Sequence, residues 1–161
     1  MILAELPSNA RIWIFQSDRL LSETEELELL HQLKNFVSGW QAHGVKLVAD
    51  AEIVHSSIIV IGVDESKEPP SGCSIDKAFG LLKAFSQTTG IDFFNRLLLN
   101  ISYCNSAKIL NQSQIQALIN QGDLSLSALT FNSLATTLGE LRDNTYLSLS
   151  ESWMASKLQF E

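Results

Sequence analysis

The sequence predicts an α+β fold with a ferredoxin-like βαββαβ core, an antiparallel sheet with two helices on one face. The predicted elements follow the order strand, helix, strand, strand, helix, strand over residues 11–104, and a C-terminal α/β extension follows over 105–161. The first and third predicted strands, which lie in the middle of such a sheet, are also the two most uniformly apolar ones. The order of the elements and the apolar pattern of the strands are independent features of the sequence, so their agreement favours this architecture.

The first strand and the first helix have clear local patterns. Arg11–Phe15 is a short apolar run rich in strand formers and predicts a buried strand, whereas residues 1–10 are expected to be a loose lead-in. Ser22 and Glu25 form a capping box, and Gly44 offers a stop. Apolar side chains recur between them at helical spacing, at Leu29, Leu33, Phe36 and Trp40. These signals predict a long amphipathic helix.

Two further strands and a second helix are predicted before a fourth strand. Val45–Asp50 alternates weakly and indicates an edge strand, whereas Ile58–Val63 is apolar on both faces and indicates a central one. Ser74 is the expected cap of a helix that ends near Gly90. The apolar stripe of this helix consists of Ile75, Ala78, Phe79, Leu82 and Phe85. Leu97–Tyr103 is the predicted fourth strand.

The second face of the predicted sheet needs a cover, because the two helices protect only one face and the central strands are apolar on both. The extension 105–161 can supply it with a hairpin strand at Lys108–Leu110, short helices that begin at Ser113 and Thr137, and a strand at Thr145–Leu149. Another copy of the chain is the alternative cover. We expect 1–161 to form a single domain.

Composition and charge argue against several classes of function. The 161 residues include 18 acidic and 11 basic side chains, and the net charge of −7 opposes binding to nucleic acid or anionic lipid. No apolar stretch approaches the roughly 20 residues that span a bilayer, and no signal peptide is recognisable. The two cysteines suggest neither a metal site nor a disulfide framework. We expect a cytoplasmic protein with no cofactor, no nucleic-acid partner and no membrane insertion.

Ser71–Asp76 is the most function-like segment. Cys73 directly precedes Ser74, the expected helix cap, so its sulfur could lie near the free amides at the positive end of the helix dipole, which favours a thiolate. A nucleophilic cysteine needs a base, for which His43, expected in the last turn of the first helix, and His55, at the start of the central strand, are candidates. The simpler interpretation is an ordinary helix entry with Cys73 as a small buried hydrophobe.

Other polar residues near predicted helix starts are candidate ligand-binding residues. Arg19 could hold an anion together with free helix amides. Asp64 and Glu65 follow the central strand and could bind a divalent cation or act as a carboxylate pair, although acidic residues in such loops are commonly just solvated. Ser74 and Asp76 lie at the start of the second helix, and any of the three carboxylates could orient a catalytic histidine.

Five sequence strings together resemble a known family. They are Arg11–Ser17, Ser71–Asp76, Asp92–Arg96, Phe131–Leu134 and Ser152–Trp153. They resemble a family of small uncharacterised bacterial proteins, some of which carry the name "ABC transporter ATPase", and the likeness covers most of the chain. The resemblance implies no catalytic residue or ligand. The ATPase name conflicts with the residues, since no G-x-x-x-x-G-K-[ST] loop is present.

Missing motifs shape the functional hypotheses. The sequence contains no G-x-G-x-x-G, H-E-x-x-H or G-x-S-x-G motif, which argues against dinucleotide enzymes, zincins and serine hydrolases. The leading hypothesis is therefore a non-enzymatic binding or interaction module, with a protein partner or a second copy of itself. The alternative is a thiol-dependent enzyme or redox sensor that uses Cys73.

Overall fold

Antiparallel sheets and four α-helices make up the mixed α+β architecture of residues 1–160, which the computed structural model describes. The strands form a three-stranded, a two-stranded and a four-stranded sheet. In chain order the strands are β1 (Arg11–Gln16), β2 (Gln41–Ala42), β3 (Val45–Lys46), β4 (Ala49–Val54), β5 (Ile58–Val63), β6 (Leu98–Tyr103), β7 (Ser106–Asn111), β8 (Leu129–Phe131) and β9 (Tyr146–Ser148). The helices are α1 (Glu23–Ser38), α2 (Gly72–Thr89), α3 (Gln112–Asn120) and α4 (Leu138–Asp143).

The three-stranded sheet has the order β1-β5-β4, and both neighbouring pairs are antiparallel. Every residue of β5 is buried, which confirms Ile58–Val63 as a central strand. The strands β1 and β4 run parallel to each other on either side of β5, and α1 connects them, so these elements form a split βαβ unit. The capping box of Ser22 and Glu25 opens α1 as the sequence predicts.

Both long helices cover one face of this sheet. Alternate residues of β5 point toward them, namely Ile59, Ile61 and Val63, and all three are fully buried. The helices contribute the apolar residues that their spacing predicts, among them Leu29, Leu33, Ala78, Leu82 and Phe85. The apolar residues that recur at every second position in β5 therefore pack in one core with those that recur at helical spacing in α1 and α2.

The first helix ends earlier than its apolar pattern predicts. It stops at Ser38, and Gly39 caps it. Trp40 is only 2% exposed, but it belongs to the next segment, where its indole Nε1 donates a 2.8 Å hydrogen bond to the Ser74 carbonyl. His43 lies in the tight turn between β2 and β3 with a positive φ of 51°. The prediction that His43 lies in the last turn of the first helix is therefore wrong. The apolar spacing extends the predicted helix to Trp40, but a buried tryptophan can occupy a core position without a helical backbone.

Two other predicted boundaries shift. The edge strand is Ala49–Val54 instead of Val45–Asp50, because Val45 and Lys46 pair with the two residues of β2. Helix α2 begins at Gly72, and its N-cap is Ser71, whose Oγ accepts a 3.1 Å hydrogen bond from the Ser74 amide. Ser74 is therefore not the cap, and Cys73 lies within the first helical turn.

The predicted fourth strand pairs in a different sheet. In the ferredoxin-like order it would lie beside β1, but β6 forms a six-residue hairpin ladder with β7 and a bridge to β8. Local hairpin pairing explains this outcome, because the turn at Cys104 and Asn105 brings the two strands together within a few residues. As a result β1 lies at a sheet edge and not in the middle of a sheet.

The opposite face of the three-stranded sheet is covered from both ends of the described chain. Leu3, Leu6 and Ala10 are at most 5% exposed and pack with Ile58 and Val60 of β5, so the prediction of a loose lead-in is wrong. The extension contributes the buried side chains of Phe131, Leu138 and Leu141. The extension and residues 1–10 thus cover this face together.

One arginine fastens this cover. The guanidinium of Arg142 donates to the backbone carbonyl of Ile2 at 3.1 and 3.2 Å, to that of Leu3 at 2.7 Å and to that of Leu6 at 3.1 Å. Gly62 in β5 makes room for the side chains of Leu3 and Leu6, because a Cβ at Gly62 would lie 2.8 Å from a methyl carbon of each. The non-periodic first residues are held by hydrogen bonds to a residue about 140 positions away.

The four-stranded sheet has the order β7-β6-β8-β9 and its own core. Leu99 and Ile101 of β6 are buried there against α3 and the C-terminal tail. The tail residues Leu149, Met154 and Leu158 are likewise buried, with Trp153 packed beside them. Among residues 1–160, no helix is both long and apolar enough to cross a membrane.

Candidate functional site

Cys73 is exposed in the first turn of α2 and lines a surface depression of about 660 Å³. His43, from the turn between β2 and β3, and Lys77, one turn further along α2, line the same depression. Among the described residues, none forms a hydrogen bond with the sulfur of Cys73 or with the ring of His43. The structure therefore brings the predicted thiol and one predicted base to a shared surface, without a bond between them.

His55 lies elsewhere. It occupies the tight turn between β4 and β5, where its φ is 52°, and its Nε2 forms a short hydrogen bond with the hydroxyl of Tyr146. Both residues line a cavity of about 360 Å³ that does not include Cys73. The pairing of His55 with Cys73 as base and nucleophile thus finds no support in the geometry.

The predicted carboxylate pair does not converge on one point. Asp64 is 8% exposed and accepts hydrogen bonds from the amide and the hydroxyl of Ser66, at 3.0 and 2.6 Å, and these bonds lower the pKa of its carboxyl. Glu65 instead contacts Arg11 at 3.4 Å. Among residues 1–160, no group of three or more His, Cys, Asp and Glu side chains could hold a metal ion.

The remaining predicted ligand-binding residues have local partners or none. Arg19 binds the carboxylate of Glu25 through two hydrogen bonds of 2.7 and 2.8 Å, which lower the pKa of Glu25 to about 2. Glu25 therefore already neutralises the charge of Arg19, and the Arg19 guanidinium is poorly placed to hold an anion. Ser74 is buried, and its hydroxyl donates to the Ser71 carbonyl at 2.7 Å, while Asp76 is exposed.

A site that the sequence did not predict lies along the free edge of β1. The amide of Ile12 donates to the Thr136 carbonyl at 3.0 Å, so it points away from β5. Because backbone direction alternates along a strand, the N–H and C=O groups of Ile14 and Gln16 also point away from β5. Within residues 1–160 these four groups have no hydrogen-bond partner. They form a short stretch of open sheet edge, which we call the β1 edge.

The β1 edge borders a groove of about 480 Å³ with apolar walls. The lining residues come from β1, α2, the segment that leads to β6, residues 133–136 and the C-terminal tail. Aromatic and aliphatic side chains line it, including Trp13, Phe79, Phe94, Leu97, Leu134 and Trp153. Leu97 and Leu134 are 62% and 66% exposed, so two large apolar side chains at the groove remain open to solvent.

The groove carries positive charge in an acidic protein. Arg96 and Lys157 line it, whereas none of the described residues along it is acidic. The ammonium of Lys157 lies 5.2 Å from the centre of the Trp153 ring, which holds the cation at the groove wall. Neither cation belongs to any of the ion pairs among residues 1–160.

The side chain of Gln16 adds an unsatisfied polar group to this site. It lines the groove, and its Nε2 is buried without a hydrogen-bond partner among the described residues. A buried unpaired donor is costly, and such groups are uncommon in folded proteins. The β1 edge therefore combines unpaired backbone groups with an unpaired side-chain donor.

Comparisons with known proteins give no further assignment, because no family model, curated protein or solved structure matches the chain.

Proposed function

We propose that this chain is a cytoplasmic, non-enzymatic interaction module that binds an extended segment of a partner protein along the β1 edge. The observation that carries the proposal is the set of unpaired N–H and C=O groups of Ile14 and Gln16, which face a groove with apolar walls. An extended peptide can bind to such an edge as an added strand, with main-chain hydrogen bonds for affinity and side-chain contacts for specificity. Folded proteins usually protect the exposed edges of their sheets against pairing with other chains.

The open edge of β1 is the place that the fourth strand occupies in a ferredoxin-like sheet. In that sheet the fourth strand lies beside the first, and here β6 pairs elsewhere and leaves this position empty. We propose that the three-stranded sheet is a ferredoxin-like sheet whose fourth position is filled by the partner. The split βαβ order of β1, β5 and β4, with both helices on one face, supports this interpretation.

The walls of the groove define the chemistry of the partner segment. Apolar side chains of the added strand would contact Phe94, Leu134 and Trp153. Acidic side chains would pair with Arg96 and Lys157, the two groove cations that have no ion-pair partner among residues 1–160. The proposed partner segment is therefore extended and alternates apolar with acidic residues.

A proline at the β1 edge tests the proposal. Ile14→Pro removes an N–H that faces the groove and leaves the β1–β5 ladder intact, whereas Trp13→Pro removes an N–H that pairs toward β5. We expect Ile14→Pro to fold and to abolish binding of a fluorescein-labelled peptide of alternating valine and glutamate, measured by fluorescence anisotropy. Trp13→Pro, the matched control, should lose the fold.

Charge reversal supplies a second test that does not touch the strand. The double variant Arg96→Glu, Lys157→Glu should prefer a peptide with lysine in place of glutamate, and the wild-type chain should show the opposite preference. Peptide binding that neither Ile14→Pro nor charge reversal alters would contradict the proposal. So would a dimer in light scattering that Ile14→Pro converts into a monomer, since the occupant would then be a second copy of this chain.

The thiol hypothesis remains the second candidate, because Cys73, His43 and Lys77 line one depression. A thiol-dependent enzyme or redox sensor requires Cys73 to react faster than an ordinary exposed cysteine. Cys104 is also exposed and serves as the internal reference. If iodoacetamide labels both cysteines at similar rates from about pH 5 to about pH 9, the hypothesis fails. A faster Cys73 that slows in His43→Gln would support it.

A further inference from the structure

A second cavity, of about 360 Å³, lies between the two larger sheets and is separate from the groove at β1. Its polar walls are Asn100 and Ser102 of β6, together with His55 and Tyr146, and Leu129 and Phe131 of β8 supply apolar surface. Leu99 and Ile101 are buried on the other side of β6, so the alternation of the strand directs its polar residues into this cavity. We call this site the His55 cavity.

Asn100 presents a hydrogen-bond acceptor to the His55 cavity. The residue is only 4% exposed, and its Nδ2 donates to the Ser57 hydroxyl at 2.7 Å. That hydroxyl in turn donates to the His55 carbonyl at 3.1 Å, so the amide nitrogen of Asn100 faces Ser57 in this hydrogen-bond arrangement. The Oδ1 atom of Asn100 receives no hydrogen bond from residues 1–160. It is an unpaired acceptor on a buried side chain that lines the cavity.

The polar support beneath this cavity is itself buried. Ser57 is fully buried, and its carbonyl accepts a 2.9 Å hydrogen bond from the amide of Ser17, whose hydroxyl donates to the Arg19 carbonyl at 2.6 Å. Ser57 therefore links Asn100 of the four-stranded sheet to Ser17, the residue that follows β1 of the three-stranded sheet. A rigid polar wall of this kind holds an acceptor in place before a ligand arrives, which favours binding.

The cavity contains no charged side chain to compensate an ionic ligand. None of the nine described residues that line it is Asp, Glu, Lys or Arg. His55 and Tyr146 add a hydrogen-bonded pair whose rings lie 5.7 Å apart, and Phe131 lies edge-on to Tyr146 at 6.1 Å. Such a wall suits one face of a small ring, and its polar groups suit hydroxyl or amide substituents.

From these observations we propose that the His55 cavity binds an uncharged small ring compound that carries hydrogen-bond donors, such as a nucleoside or a monosaccharide. A donor of the ligand binds Oδ1 of Asn100, the hydroxyl of Tyr146 provides a second polar contact, and the ring packs against Phe131. This small-molecule site goes beyond the partner-binding function proposed for the β1 edge.

The two turns at the mouth of the cavity agree with this assignment. His55 and Ser56 have φ values of 52° and 50°, and Cys104 and Asn105 have values of 50° and 60°. Glycine or asparagine is preferred at such positions, because most side chains are strained there. His55 and Asn105 both line the cavity, so these positions supply side chains to the site that glycine would not.

Two-dimensional NMR with ¹⁵N-labelled chain tests the proposal. Adenosine, uridine, glucose and N-acetylglucosamine are added separately at up to about 10 mM, which detects dissociation constants in the millimolar range. We expect at least one of them to shift the side-chain amide signals of Asn100 and the backbone signals of His55 and Tyr146. The two nucleosides and the two sugars distinguish the sources of the ring, and adenosine 5′-phosphate and glucose 6-phosphate should bind more weakly than their uncharged counterparts.

Matched variants locate the binding. Tyr146→Phe keeps the ring and removes one hydroxyl, and we expect it to weaken binding about three- to tenfold, as for the loss of one hydrogen bond. Tyr103→Phe, which removes a hydroxyl outside the cavity, should leave the affinity unchanged. Asn100→Leu should abolish binding if it folds, and Tyr146→Phe keeps the proposal testable if it does not. No shift with any probe, or equal effects of Tyr146→Phe and Tyr103→Phe, would overturn it.

Discussion

The two faces of β5 are equally buried but are covered in different ways. The helix face is covered by α1 and α2, whose apolar residues repeat at regular spacing and whose caps are local, as in the capping box of Ser22 and Glu25. The opposite face is covered by residues 1–10 and by α4, which are joined by Arg142 across about 140 positions. Equal burial can thus arise from periodic local elements or from irregular segments held by long-range hydrogen bonds.

The largest expected effect tests whether the irregular cover is a true core. Leu3→Ala and Leu33→Ala each truncate a leucine that is at most 1% exposed, one on each face. We expect both variants to lose about 3 kcal/mol of unfolding free energy in urea titrations, because each leaves a cavity of similar size. A loss below about 1 kcal/mol for Leu3→Ala alone would show that the first residues only rest on the sheet.

Removing the long-range fastening should have the next largest effect. Arg142→Leu leaves the carbonyls of Ile2 and Leu6 without this donor and leaves the Leu3 carbonyl with the Leu6 amide alone, and we expect a loss of about 2 kcal/mol in urea titrations. Amide hydrogen exchange should speed up in residues 1–10 and stay unchanged in α1. Arg142→Lys keeps the charge but not the planar fork, so a full rescue by lysine would contradict this role for the guanidinium.

Two glycine substitutions compare helix positions on the two faces. A Cβ at Gly80 of α2 would meet no atom within 4 Å, whereas a Cβ at Gly139 of α4 would lie 3.0 Å from the carbonyl oxygen of Ser8. Gly80→Ala should stabilise the chain by about 0.5–1 kcal/mol through helix propensity. Gly139→Ala should destabilise it by about 1 kcal/mol through crowding. If thermal unfolding shows the same sign for both, the close contact between α4 and Ser8 is relaxed in solution.

The smallest expected effect concerns the local cap of α1 and depends on pH. The pKa of Glu25 is about 2 in the folded chain, below its ordinary value of 4.5, because Arg19 and Ser22 donate to its carboxylate. A lowered pKa stabilises the fold fully above about pH 4.5, and this contribution is lost as the pH falls through 2. Glu25→Gln should therefore be less stable than wild type at pH 7, and the difference should vanish toward pH 2. A difference that does not change with pH would contradict the ionic contribution.

The same contrast explains what could be predicted from the sequence. Strand β5, helix α1 and the stripe of α2 follow from apolar period and caps, since each signal lies within one element. Residues 1–10 show no period, because Leu3 and Leu6 pack as single side chains into the space that Gly62 leaves. Nothing in their local sequence indicates a partner as distant as Arg142.

The candidate sites were less predictable than the fold. Cys73 and His43 do share a depression, although the turn that places His43 there was predicted as helix. The β1 edge was missed because the apolar residues of β1 indicated a central strand, whereas the edge exists only because β6 pairs with β7 instead. The exposed leucines at its groove, Leu97 and Leu134, give no signal in the sequence, because they are far apart along the chain and their exposure follows from the fold.

The hydrogen bonds of Arg142 also constrain the order of events as the chain is made. Residues 1–10 leave the ribosome long before residues 138–142, so the carbonyls of Ile2, Leu3 and Leu6 lack their bonds to Arg142 while the split βαβ unit can already form. Contacts of such sequence separation form slowly, because closing a long loop costs entropy before the contact is gained. During that interval the face of β5 that carries Ile58 and Val60 lacks the cover of Phe131, Leu138 and Leu141, and such partly exposed apolar surface favours aggregation or chaperone binding.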